Sequence, residues 1–174
     1  MLKFIWKYLF VFVLLVLMQV LLFNNIRISG YINPQVYLFY VLMLPVHTRG
    51  YVLLLSAFML GFVVDAFTDS MAIHAMSTVF MAFCRPAVLR MLSGKVSLEG
   101  MESPSFYAFG AISLFLYSFI LILLHHTTLF FLEIFRFDEP LQTLSRALSS
   151  SVVTLVFVMF AFALMEGSVI KRRH

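Results

Sequence analysis

The chain has 174 residues, 63% of them hydrophobic and only 11% charged, with a mean hydropathy of +1.03 and a formal net charge of +4. Such a composition excludes a soluble globular domain and leaves no room for a sizeable aqueous one. The basic balance, with a pI near 9.4, would point to nucleic acid in a soluble protein, but here Lys and Arg sit at the ends of apolar runs as loop anchors, so no nucleic-acid partner is expected.

The expected architecture is an all-α integral membrane protein: a compact bundle of about six transmembrane helices in one domain over residues 1–174. A spanning helix needs ~20 predominantly apolar residues. The first predicted span covers about 5–23. Lys3 and Lys7 before an apolar run look like a signal peptide, but Asn24-Asn25 follows Phe23 with no small-x-small cleavage pattern, so the segment reads as an uncleaved span. A polar turn, Asn24 to Gly30, comes next.

Pro34 opens the second predicted span, about 34–46, at a first-turn position where its missing N–H costs nothing. Pro45 closes it early, so a helix from Pro34 to Pro45 would be only about 18 Å long, too short to cross a ~30 Å hydrocarbon core alone. The segment is either a short span buried by its neighbours or a re-entrant helix, which leaves five or six full spans open. The third span is predicted over 51–67. The turn Thr68-Asp69-Ser70 leads to a fourth over 71–92, and Ser93–Ser103 is the one plausible exposed loop on its side. Pro104 opens a fifth span, 104–124. His125 to Pro140 reads as an interfacial stretch, and a sixth span over 144–170 precedes Lys171-Arg172-Arg173-His174.

With six spans and both termini cytoplasmic, nine basic residues fall inside (Lys3, Lys7, Arg49, Arg85, Arg90, Lys95, Lys171, Arg172, Arg173) and three outside (Arg27, Arg136, Arg146). That asymmetry favours six spans over five. Cys84 is the lone cysteine, so no internal disulfide can form.

Asp65 and Asp69, four residues apart on one helix face, with His74 beyond them, can be drawn as a metal or proton site. The plainer expectation is a helix hairpin in which Asp69 or Ser70 caps the fourth helix. Ala57, Gly61 and Asp65 recur every four residues, a small-residue stripe that lets two backbones approach closely. Ala75, Thr78, Ala82 and Arg85 share a face of the next helix. The two stripes are expected to meet, with a partner helix as the other possible occupant. Pro86 removes a backbone bond and frees the carbonyl of Ala82. Arg85 beside it is expected to snorkel to lipid headgroups, with Ala82, a lipid phosphate or a cytoplasmic protein as other possible contacts. His125-His126, with Glu133 further on, reads as interfacial because adjacent histidines point about 100° apart on a helix. No G-x-S-x-G, H-E-x-x-H or phosphate-cradling glycine loop occurs, and no charge falls mid-span in the first, second, fifth or sixth span. Neither catalysis nor ion coupling is expected, and no cofactor or metal.

Several stretches carry a resemblance: Gln19…Asn24-Asn25-Ile26…Gly30-Tyr31…Pro34, Leu44-Pro45, Gly61-x-x-x-Asp65-x-Phe67, His74-Ala75, Ala82-Phe83-x-Arg85-Pro86 and His125-His126…Leu132-Glu133-x-Phe135. Together, over nearly the whole length, they resemble the rod shape-determining membrane protein family MreD in its Bacteroidetes-like form. One departure is Ala72, where family members commonly carry Gly. The resemblance implies an inner-membrane component of the cell-elongation machinery, or elongasome. Such a component works beside the bitopic protein MreC and links MreB filaments to peptidoglycan synthases. It also implies a fold similar to the S components of energy-coupling-factor transporters. The alternative function is therefore a small-molecule-binding transporter subunit. Against it, the first span from Tyr8 to Phe23 has no Gly, Ala or Ser with which to dock a coupling subunit. An intramembrane enzyme requires Asp65, Asp69 and His74 to converge.

Overall fold

The structure is a computed structural model and describes residues 2–25, 32–93, 101–134 and 140–171. Seven α-helices are present among them: α1 (Leu2–Leu21), α2 (Phe39–Met43), α3 (Gly50–Thr68), α4 (Ile73–Ser93), α5 (Phe106–Phe109), α6 (Ala111–Ile134) and α7 (Pro140–Lys171). Short 3-10 turns at Phe23–Asn25 and Val36–Leu38 complete the order. The protein is an all-α membrane bundle, and α3, α4, α6 and α7 are each long and apolar enough to cross a bilayer. In α1 the apolar stretch Trp6–Leu21 is shorter. The most extensive packing runs from α3 to α4, from α4 to α6 and from α6 to α7.

Large apolar side chains cover the outside, among them Phe10, Leu55, Phe83, Ile112 and Phe160, each more than half exposed. In water such a surface would aggregate; against lipid tails it is solvated. The core is built around the second predicted span. Every residue from Val36 to Leu44 is 7% exposed or less. Only residues 36–43 of that segment are helical, first as a 3-10 turn and then as α2. The stretch 34–46 is thus neither a lipid-facing span nor a full helix. It is a broken segment enclosed by the long helices, the setting in which non-helical backbone is tolerated at membrane depth.

The remaining boundaries differ in instructive ways. The predicted span 104–124 begins as the single turn α5, capped by the Ser105 hydroxyl accepting from the Ala108 N–H at 3.0 Å. Gly110, at φ 79°, breaks it from α6. That helix then runs ten residues past the predicted end, so His125 and His126 are helical and fully buried rather than interfacial. Their apolar flanks Ile122, Leu129 and Phe130 form a continuous buried stripe at helical spacing. The predicted loop Ser93–Ser103 lies in part outside the described residues. At its end Met101 is buried and the Glu102 carbonyl accepts from Val46 N–H at 3.0 Å, so that end is packed. Side chains of Lys3, Arg27, Lys95, Arg136 and Lys171 to His174 also lie outside the described residues.

Candidate functional site

Two polar clusters lie inside this apolar bundle. The first forms where α3 meets α4. Thr68 ends α3, and Asp69 takes the left-handed conformation at φ 51° with its N–H on the Asp65 carbonyl. Ala72 is left-handed as well, at φ 60°. The two reversals turn the chain so that α4 starts against α3. The first N–H groups of α4 would then be orphaned, and Asp65 satisfies them from the neighbouring helix. Its Oδ1 accepts from the His74 N–H at 3.0 Å and from His74 Nδ1 at 2.9 Å, and Ser70 Oγ donates to it as well. Its Oδ2 accepts from the Ala75 N–H at 2.8 Å. The cap therefore comes from Asp65, not from Asp69 or Ser70. Asp69 is exposed at the turn and does not join the cluster.

Such an approach requires Gly61. A Cβ there would lie 2.5 Å from Ala75 Cα and 2.6 Å from Ala75 N. Ala57, Gly61 and Asp65 on α3 and Ala75, Thr78, Ala82 and Arg85 on α4 are all buried within the chain. The two stripes meet at one end, where Gly61 and Asp65 lie against His74-Ala75, whereas Thr78 and Arg85 turn to Tyr37 and to the Leu44 and Pro45 carbonyls.

The left-handed Ala72 carries strain that a glycine would not. An L side chain in this region costs roughly 1–2 kcal/mol, partly offset by the greater unfolded-state freedom of glycine. Ala72→Gly is therefore expected to stabilise the protein by about 1 kcal/mol, read as a raised thermal unfolding midpoint in detergent. An unchanged or lowered midpoint would contradict the turn geometry.

Polar contacts continue inward from this joint. Thr78 donates to the His74 carbonyl at 2.7 Å and lies 3.3 Å from the Tyr37 hydroxyl, which is 3.0 Å from His125 Nε2. His126 Nδ1 is 3.0 Å from the Ile122 carbonyl. A carbonyl only accepts, so Nδ1 carries a proton, and Nε2 lies 3.4 Å from Thr154 Oγ1. Thr154 in turn accepts from the Gln35 N–H at 3.0 Å. Gln19 Oε1 accepts from the Val36 N–H at 2.8 Å, and its Nε2 donates to the Pro34 carbonyl at 3.1 Å and to Asn24 at 2.9 Å. These side chains satisfy the backbone of the broken segment where no helix does.

Above this network opens a cavity of about 400 Å³, lined by Gln19, Asn24, Asn33, Gln35, Thr68, Ser70, His74 and Glu133 with apolar walls including Phe23, Phe67 and Leu129. Ser70 and Asp65 both approach the same nitrogen of His74, Nδ1. A nucleophilic triad needs the carboxylate and the hydroxyl on opposite ring nitrogens, so this trio is not one. No cluster with the makings of a metal site occurs among the described residues.

The second cluster lies at the other end of the broken segment. Arg85, 1% exposed, donates from Nη2 to the Leu44 carbonyl and from Nη1 to the Pro45 carbonyl at 3.4 Å. Its Nε donates to the Tyr117 hydroxyl at 2.8 Å, and that hydroxyl donates to the Leu42 carbonyl at 3.1 Å. Arg85 does not snorkel to headgroups, nor does it turn back on Ala82. It caps the C-terminus of α2, where the helix dipole and the unpaired carbonyls attract a cation. Pro86 sits inside α4 directly after it. The nine-to-three count of basic residues accordingly loses Arg85, which does not face the cytoplasm.

The sequence reading places Gln19 only in a stretch that carries the resemblance, with no structural role, and does not single out Tyr37, Tyr117 or Thr154. Gln19 had a visible signal, being the one polar residue between Tyr8 and Phe23. The others are single hydroxyls in apolar surroundings and carry none. No known protein family, curated protein or solved structure matches this chain.

Proposed function

We propose that the chain is a non-catalytic membrane scaffold of the MreD kind, a multi-pass inner-membrane component of the elongasome. It binds an MreC-like bitopic partner through its helices and helps couple MreB filaments to peptidoglycan synthases. One observation supports this reading above the others. The stretches that carry the resemblance, scattered through the sequence, pair with one another in space. Gln19 holds Pro34, Leu44-Pro45 holds Arg85, and Gly61 and Asp65 hold His74-Ala75. The residue replacing the family's usual glycine, Ala72, stands in a backbone conformation that favours glycine. Motifs of this kind specify a fold, and the function follows from the family that uses it.

The same proposal includes six crossings, cytoplasmic N- and C-termini and a bundle similar to the S components. The broken segment supports an even number of crossings, because it runs from the Gln19 end of the bundle to the Arg85 end before α3 begins. With Cys84→Ser as background, cysteine at the highly exposed Met71 is expected to react with a membrane-impermeant thiol reagent in intact cells. Cysteine at Glu102 is expected to react only after permeabilisation. The reverse pattern would sink the orientation.

The alternative, an S-component-like transporter subunit, draws its support from the 400 Å³ cavity. It lacks a docking stripe on α1, whose exposed residues are bulky: Trp6, Leu9, Phe10, Val13 and Leu17. Depletion in the native cell separates the two. The scaffold reading expects rounded or swollen cells with qualitatively normal muropeptides. Loss of uptake of a vitamin with cell shape intact would establish the transporter.

A further inference from the structure

Three of the chain's five histidines, His74, His125 and His126, gather beside Tyr37 of the enclosed segment. The Tyr37 ring lies edge-on to His74 and to His125, with centroids 6.4 and 5.9 Å apart. His125 lies edge-on to His126 at 5.5 Å. The three rings differ in what a proton on them would meet. His74 Nδ1 stands 2.9 Å from the Asp65 carboxylate, so a positive charge there is paired. His125 and His126 are 0% exposed, and their hydrogen-bond partners among the described residues are all neutral. The Tyr37 and Thr78 hydroxyls meet His125 Nε2, and the Ile122 carbonyl and Thr154 hydroxyl meet His126. His125 Nδ1 is buried with no partner among the described residues.

The titratable groups facing the pair are Tyr37 from the enclosed segment and His74 from α4, with Asp65 of α3 bonded to it. From α7 the charged group is Arg146, which stacks over the Phe130 ring at 4.2 Å and pairs with Glu133 of α6. Both carboxylates are therefore already engaged. An ionisable side chain inside a membrane bundle is costly and marks a functional site by default. Here the two rings tie α6 to the enclosed segment, His125 through Tyr37 and His126 through Thr154, which holds the Gln35 N–H. A proton added to this enclosed pair places a charge where no counter-ion meets it. The same proton costs little once water reaches the rings, so falling pH favours the opened state. Imidazoles in water titrate near ~6.5, which sets where the effect begins. We infer that the buried His125–His126 pair is a proton-binding switch, holding the enclosed segment on α6 when neutral and releasing it when acid charges the pair. The α3–α4 joint stays closed, because its own histidine takes a proton against Asp65. This inference is independent of the scaffold reading and holds whichever partner the helices bind.

Hydrogen–deuterium exchange of the full chain in neutral detergent tests it, read by mass spectrometry as protection factors from about pH 7.5 to about pH 5. Protection over 36–43 is expected to fall below ~6.5, about tenfold per pH unit for each proton taken up. Protection over 74–82, on the α4 side of the joint, should stay level. His125→Gln and His126→Gln together keep a neutral hydrogen-bonding group at each place and should abolish the fall. His74→Gln should leave it intact. If the double variant fails to fold, each single variant takes its place and should lower the slope against pH by about one proton. Unchanged protection over 36–43 in the parent overturns the switch, as does a loss shared equally by all helices. A fall that persists in the folded double variant, or vanishes in His74→Gln, places the proton elsewhere and overturns it too.

Discussion

Gly61→Ala is expected to destabilise the protein by about 3 kcal/mol, and Gly61→Leu by more, at the upper end of what overpacking costs. The added Cβ meets Ala75 Cα at 2.5 Å, Ala75 N at 2.6 Å and the His74 carbonyl carbon at 2.7 Å. All three are backbone atoms, so no rotamer change relieves the clash and α3 must move away from α4. Moving it also breaks the Asp65 cap one turn further along. Thermal unfolding in detergent reads the loss, and Ala75→Gly supplies the control. Because the clash is with backbone, that second substitution should not rescue Gly61→Ala, and a rescue would show that the contact is with a side chain instead.

Asp65→Asn is expected to be milder than Gly61→Leu but still costly, at about 2 kcal/mol. Asparagine near an interface would keep most hydrogen bonds if only one oxygen were used, but both oxygens of Asp65 accept. An amide nitrogen in either place faces an N–H donor. Should Asp65→Asn leave stability and complex formation intact while function disappears, Asp65 performs chemistry and the capping account fails.

The α3–α4 hairpin was legible because its signals are local. Small residues every four positions, a turn of Asp and Ser, and a second stripe at helical spacing specify two helices and the faces that meet. The four long apolar helices were legible for the same reason. The second predicted span was legible in part: Pro34 and Pro45 mark it as short, and burial by its neighbours was one of its two expected settings, but its break into a 3-10 turn and a short helix was not. Its sequence, Val36-Tyr-Leu-Phe-Tyr-Val-Leu-Met-Leu44, is apolar on every side, and periodicity cannot tell a lipid-facing helix from one enclosed by other helices. What keeps it short and broken lies elsewhere in the chain: Gln19 and Thr154 at one end, Arg85 and Tyr117 at the other. The histidine pair was misplaced because Pro104 and the polar run after Leu124 looked like the two ends of one span. The break falls instead at Gly110, and α6 carries both rings into the core.

Arg85→Leu is expected to cost about 3 kcal/mol, more than Tyr117→Phe. A buried guanidinium with no carboxylate among its hydrogen-bond partners is costly in itself, and removing it recovers part of that cost. What remains afterwards is worse: the Leu44 and Pro45 carbonyls at the end of α2, buried where neither water nor lipid replaces the lost donors. Arg85→Lys should fall between the two, because one ammonium cannot reproduce the planar fork that serves Tyr117, Pro45 and Leu44 together. Combining Arg85→Leu with Tyr117→Phe should cost less than the sum of the single losses, since both remove the same bond. If Arg85→Leu instead unfolds like the parent but no longer retains a bitopic partner in a pull-down, the guanidinium serves an intermolecular contact. The enclosed segment would then have to be held in place by apolar packing alone.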